Sequence, residues 1–293
     1  MAMMRLDAKQ VLARHDKALT KKEDFRSLYD EAYEFALPQR NLYDGYYDGG
    51  VQGQKKMNRV FDSTAINSTQ RFANRMQSGI FPPQRKWCRL EPGSDIPQER
   101  KAEAQAALDA YGDKLFDTLK QSNFDIAIGE FLLDLCVGTA VMLVQPGDDT
   151  HPINFISVPQ FLVSFDEGAN GQVDNVYRRM KLKAESIQRQ WPDAKLPDEL
   201  KNLIDQKPTE EVDLIEATVF DPERGDYCYH VIHKKSKTEL VYRRMDNTPW
   251  IVSRYAKIAG ETYGRGPLIT AMPDIKTLNK TLELVLKNAS LSI

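Results

Sequence analysis

Four histidines, three cysteines and 42 carboxylates are the groups from which this 293-residue chain could assemble a reaction centre, and their spacing decides whether they meet. His230 and His233 form an HxxH pair, the spacing of two metal ligands on a helix. In a strand, however, residues i and i+3 point to opposite faces. The surrounding residues read as strand, so the pair is expected to be ordinary and partly exposed. His15 and His151 stand alone, one in a polar helix and one in a turn, with no nucleophile signature beside either. Cys88, Cys136 and Cys228 are far apart, with no CxxC pair, no zinc-ligand spacing and no disulfide framework, which suits a reducing cytoplasm. The glycine-rich GETYGRGP segment at 260–267 precedes a helix, as a phosphate cradle would. It lacks both GxxxxGK[ST] and GxGxxG, and the expectation is a tight loop that positions the next helix. Asp44 and Asp48 lie in a loop without the EF-hand pattern. No carboxylate cluster falls where two-metal phosphodiester chemistry would need it. The chain is therefore expected to have no catalytic residue, no metal ligand and no cofactor.

One charge pattern is more suggestive. Lys276, Lys280, Glu283 and Lys287 follow i, i+4, i+7 and i+11 on the last helix, apart from its apolar stripe, and would either meet a polyanion or form a solvated face. The whole chain carries 40 basic and 42 acidic residues, so it offers no general attraction to nucleic acid, and any DNA contact must be local or loose. Hydrophobic residues at 41% and charged residues at 28% fit a soluble folded chain long enough for one large or two ordinary domains. The first ten residues, with Arg5, Asp7 and Lys9, are unlike a signal peptide, and no window approaches the ~18 apolar residues of a membrane span. The most apolar stretch, 131–144, is interrupted by Asp134 and Gly138 and reads as core.

The elements that must position these groups are legible as changes of period. Residues 7–19 and then Phe25, Leu28, Tyr29, Ala32 and Ala36 repeat as a buried helix stripe, which Pro38 stops. Residues 43–50 form a Gly- and Asp-rich loop. A slim second helix spans about 62–79 and ends at Phe81-Pro-Pro83, after which 87–90 reads as a short strand. A third helix follows Pro97 and buries Ala104, Leu108, Tyr111, Leu115 and Leu119; a fourth, 125–137, ends at Gly138. Strands are expected at 141–145, 154–158, 161–165 and 173–180, then, beyond short helices at 184–191 and 197–205, at 212–220, 227–233, 239–245 and 250–255. Pro267 or Pro273 opens a last helix with Ile275, Leu278, Leu282, Val285, Leu286 and Ala289 on one stripe. The fold class is α+β, with a smaller β-rich module near 206–262.

Three ordered segments resemble the portal, or head-to-tail connector, proteins of short-tailed (podovirus-type) bacteriophages. The first is FDST at 61–64, with FANRMQSG at 72–79 and IFPPQRKW at 80–87. The second is GTAVMLV at 138–144, with VPQF at 158–161, the turn at 166–171 and VYRRM at 176–180. The third is PWIVSRY at 249–255, GETYGRGP at 260–267 and DIKTLN at 274–279. Together they cover about residues 25–290, nearly the whole chain.

The resemblance implies a portal-like fold: a wing-like α+β domain over 1–205, a clip-like module over 206–262, and the start of a channel-side stem helix over 263–293. Family members continue further, so the chain is expected to be a truncated representative. The resemblance further implies a subunit of a homododecameric ring at one capsid vertex of the virion, assembled in the host cytoplasm and serving genome packaging and ejection. Its partners would be the double-stranded viral DNA in the channel, the terminase, the tail adaptor, and the capsid and scaffolding proteins, with no membrane and no enzymatic activity. On that reading Lys276, Lys280 and Lys287 face the channel or pair with an adjacent subunit. Trp87 anchors the wing core, and Tyr263 and Arg265 position the loop before the stem helix. The rival readings are a virion adaptor that forms no ring and a nucleic-acid-processing enzyme.

Overall fold

The computed structural model describes residues 6–40, 57, 59–83 and 85–291; the loop at 43–50, with Asp44 and Asp48, lies outside the described residues. Asp7 opens the first helix, α1 (Ala8–Glu23), through a capping box: its carboxylate accepts from the Gln10 amide at 2.7 Å, and the Gln10 side chain accepts from the Asp7 amide at 2.9 Å. Helices α2 (Arg26–Ala36), α3 (Thr64–Ile80), α4 (Lys101–Gln121) and α5 (Phe124–Val137) follow. Strands β1 (Thr139–Pro146), β2 (Ile153–Val158), β3 (Val163–Glu167) and β4 (Val173–Lys183) come next. Two short helices, α6 (Ala184–Gln190) and α7 (Asp198–Gln206), separate these from β5 (Glu211–Asp221), β6 (Asp226–His233), β7 (Thr238–Met245) and β8 (Trp250–Arg254). Helix α8 (Pro267–Leu291) ends the described chain.

Both sheets are antiparallel. One has the order β2-β1-β8 and the other β3-β4-β5-β6-β7. The main core lies where α2, α5 and the start of α8 close over the three-stranded sheet and β3, with Tyr29, Tyr33, Val137, Val141, Phe165 and Tyr263 buried. Helix α1 covers one face of the larger sheet through Val11, Leu12 and Ala18 against Tyr177, Ile215 and Val219. Helices α6 and α7 cover the other face at Ile187, Trp191 and Leu200. The α+β class expected from the pattern is what the chain forms, with a long helix at its end.

Three expectations need correction. The strands near 206–262 do not make a sheet of their own: β5 pairs along its length with β4, from Asn175 opposite Val219 to Lys183 opposite Glu211, and β8 crosses to β1. Strand periodicity reports faces but says nothing of which edge a strand will join. The segment at 87–90 is extended yet has no ladder partner among the described residues. It runs beside α4 through Arg89 to Asp109 (2.8 and 3.0 Å), Lys86 to Asp113, and the Gln105 side chain to the Leu90 carbonyl (3.0 Å). Helix α4 in consequence buries Phe116 alone, and Tyr111 is 70% exposed. Its apolar stripe is covered only in part: Ala104, Leu108 and Leu119 are half-buried, Leu119 against the core beside α5, while Tyr111 and Leu115 face solvent.

The α1 layer hides a cation. Lys22 is 5% exposed and donates to the Phe161 carbonyl at 2.5 Å, and burial, with Arg179 nearby, pulls its amine down to about 7. The unfolded chain, with an ordinary lysine near 10.4, holds a proton that the folded chain lacks between those values, so this group makes stability rise with pH across that window. Lys22→Met should therefore stabilise the protein by ~2 kcal/mol near pH 6, with the advantage shrinking toward pH 10. Urea midpoints measured across that range test this; an advantage that does not vary with pH would mean that Lys22 is not a desolvated cation.

Candidate channel-side helix and its anchoring loop

Helix α8 is fixed to the body through a contact that only glycine permits. The loop before it threads against the junction of α5 and β1. A Cβ on Gly138 would lie 2.2 Å from the Gly264 carbonyl oxygen, one on Gly264 2.4 Å from the Gly138 carbonyl oxygen, and one on Gly266 2.1 Å from that of Cys136. Backbone therefore packs directly on backbone. The Gly266 amide donates to Val137 O at 2.8 Å, the Gly264 amide to Thr139 Oγ1 at 2.9 Å, the Arg265 amide to Ala256 O at 2.9 Å, and the Tyr255 amide to Gly138 O at 2.9 Å. These donors are spent inside the protein, which is why the glycine-rich segment is a clamp and not a phosphate cradle.

Aromatic side chains brace the loop. Tyr263 is fully buried, its ring 4.4 Å from Phe165, 5.4 Å from Phe25 and 6.5 Å from Tyr29. The Tyr29 hydroxyl, which burial keeps protonated, donates to Gly264 O at 2.5 Å. Arg265 lies outside this cluster and forms a two-point pair with Glu261 at 2.6 and 2.9 Å, helping close the turn at the surface. Arg254 donates to Thr262 O at 3.3 Å and pairs with Glu167, tying the loop to β3. Trp87 lies elsewhere: it is 36% exposed, at the rim of an aromatic group with Phe81, Phe116 and Phe124, so it borders the body and is not a core anchor.

The three lysines of α8 share one side of the helix, as their spacing predicted, and each meets a carboxylate of this chain. Lys276 reaches Glu31 of α2 at 2.9 Å, and Lys280 and Lys287 flank Glu283 at 2.9 and 2.5 Å, holding its carboxyl below the usual range. All three remain about half exposed or more, at 48, 61 and 63% of their side chains. With Arg59 and Phe61 they border a groove of about 760 Å³ along the helix. The next turns are apolar and open to solvent: Leu284, Val285 and Leu286 are 49, 56 and 56% exposed, and Leu278 is 42% exposed. The stripe read from the sequence is thus uncovered over its second half.

The histidines are not brought together. His230 shares a sheet face with Ala217 under α1, and its Nδ1 meets Glu239 at 2.7 Å; His233 lies opposite Leu214 on the other face, with Nδ1 2.7 Å from Ser236. Both are buried, not partly exposed as expected, because the sheet is covered on both faces. Among the described residues no group of three or more His, Cys, Asp or Glu is arranged to hold a metal, and no helix is long and apolar enough to cross a membrane.

Spacing rules missed the polar support beneath α5. Asp134, 1% exposed, accepts from Arg40 at 2.7 and 3.0 Å and from the Tyr33 hydroxyl at 3.0 Å; burial pushes its carboxyl up, against the pull of both partners. The available signal was Asp134 as the one acid in the apolar stretch 131–144.

The chain matches the family described as bacteriophage head to tail connecting protein over residues 8–293. A curated relative, the probable portal protein of Bordetella phage BPP-1, is 22% identical over 290 residues, covering 93% of this chain and 51% of that protein. The chain thus spans about half the length of the curated relative it matches.

Gly138→Ala should lower stability by about 2–3 kcal/mol, since a Cβ there meets backbone that cannot yield. Gly112→Ala on α4, where a Cβ meets nothing within 4 Å, should raise stability by about 0.5–1 kcal/mol. Thermal melts of the pair decide the matter; equal effects would mean that the loop contact is not a constraint.

Proposed function

This chain belongs to the bacteriophage head to tail connecting protein family, and we propose that it forms the body of a portal subunit, one member of a closed ring around a DNA channel. The observation that carries the ring is the second half of α8. Leu278, Val285 and Leu286 of the apolar stripe are exposed on a helix that a glycine clamp holds in one orientation. An exposed apolar stripe is a surface for further protein to cover, and in a ring the next copy would supply it. In a closed ring each copy presents one surface to the copy before it and a different surface to the copy after it. The ring is dodecameric on the family resemblance, with the chain standing in the virion between head and tail.

The lysine stripe supplies the channel side of this reading. DNA that slides must meet charge without being held by base contacts, and Lys276, Lys280 and Lys287 are about half exposed or more, in surface ion pairs that salt screens. Passing phosphates can exchange for those partners. The balanced total of 40 basic and 42 acidic residues suits such passage better than a uniformly basic surface would. Terminase, tail adaptor, capsid and scaffolding proteins are the partners that this role requires. The role needs no catalysis by the chain.

Negative-stain class averages of the purified chain should show rings with a central hole. Particles without rings, both from this chain and from one extended to the length of its relative, would sink the ring. Changing Lys276, Lys280 and Lys287 together to Gln should leave the ring intact and alter packaging; dispersal of the ring would place the three lysines at a subunit contact.

A further inference from the structure

Residues 63–90 contain none of the chain's 42 acidic residues but five of its 40 basic ones: Arg71, Arg75, Arg85, Lys86 and Arg89. Helix α3 supplies most of this run. It buries Ala65, Thr69 and Ala73, and so turns the opposite side to solvent. Down the middle of that side run Asn67, Arg71, Asn74 and Ser78, at i, i+4, i+7 and i+11, with Gln70 and Arg75 flanking, all exposed. Each of these side chains is a hydrogen-bond donor, and none is an acid. Lys86 and Arg89 are engaged by Asp113 and Asp109 of α4, whereas Arg71, Arg75 and Arg85 have no carboxylate partner among the described residues. Asp62, the acid immediately before the run, is turned to the Thr64 amide and hydroxyl, both at 3.0 Å.

A solvated helix face in this protein looks different. Helix α4 mixes Lys101, Glu103, Asp117 and Lys120, and each lysine of α8 has its carboxylate. Guanidinium groups among Asn, Gln and Ser donors are the set that contacts phosphate and sugar oxygens, while carboxylates there would repel them. No aromatic side chain lies on the exposed stripe to stack with bases, so the surface suits a paired backbone and not unstacked single strands. A 17-residue helix is about 25 Å long, and duplex DNA places a charge every ~1.7 Å of axis, so several phosphates fall within reach.

We propose that the exposed face of α3, Asn67, Gln70, Arg71, Asn74 and Arg75, continued by Arg85, is a second, sequence-independent contact for the phosphate backbone of double-stranded nucleic acid, separate from the lysine stripe of α8. The portal reading supplies the identity of the polyanion. The surface itself is tested without requiring a ring.

The test is fluorescence anisotropy of a labelled duplex of about 30 base pairs with the full 293-residue chain, over roughly 50–200 mM salt. The combined variant R71Q/R75Q/R85Q should bind ~10-fold more weakly at the lowest salt, and the slope of log affinity against log salt should flatten by about two to three. The charge-keeping variant R71K/R75K/R85K should retain most of the binding, and K276Q/K280Q/K287Q should keep the part of the slope due to α3. Circular dichroism melts establish that each variant is folded. Absence of binding by the unaltered chain at the lowest salt, or an unchanged slope in the Gln variant, overturns the proposal. If that variant instead disperses rings while binding DNA normally, the face belongs to a neighbouring subunit and the portal reading stands. If the unaltered chain forms no rings but its DNA binding still depends on these arginines, the surface stands and the ring does not.

Discussion

The orientation of the final helix rests on one close approach of backbone to backbone, between the end of α5 at Gly138 and the loop at Gly264 and Gly266. Carbonyl oxygens stand where a Cβ would be at all three positions, so no side chain can intervene and no adjustable rotamer can absorb an error. The amide hydrogen bonds that this proximity allows tie the loop to β1 and to the residues after β8, and Tyr29 and Tyr263 close over it from α2 and the loop itself. Elements more than 100 residues apart in sequence are thereby joined at one point, and α8 leaves it in a fixed direction.

Around that point the protein is braced by buried polar groups that pair across elements. Asp134 ties α5 to Arg40 and Tyr33, so the helix that carries Gly138 cannot slide relative to α2. In the larger sheet Glu216, pushed toward its neutral form by burial, accepts from Tyr229 at 2.7 Å and lies 3.5 Å from Arg178, while the Trp191 indole donates to Tyr229 at 3.1 Å. Such groups are costly to bury and more costly to leave half satisfied, which makes each network intolerant of a shifted register.

Charge is distributed on a different principle. On α8 each lysine is matched to a carboxylate, whereas on α3 carboxylates are absent altogether. The apolar end of α8 and the uncovered part of the α4 stripe add two greasy surfaces that the isolated chain leaves in water.

The sequence by itself determined the elements and their faces. Proline and glycine stops, the helical period of Phe25, Tyr29 and Ala32, and the alternation in 212–220 and 227–233 are local consequences of backbone stereochemistry and burial, and they survive in the structure nearly residue for residue. The lysine stripe was legible for the same reason: spacing along a helix fixes which side chains share a side. Tertiary structure alone decided what covers each face. It joined β5 to β4, moved β8 to the other sheet, left Tyr111 and Val285 in water and buried both His230 and His233. It also made Gly138 and Gly264 neighbours across 126 residues, and gave Asp134 the distant partner Arg40. Period and propensity are properties of neighbours in sequence, whereas covering a face or neutralising a charge depends on residues that meet only once the whole chain has closed.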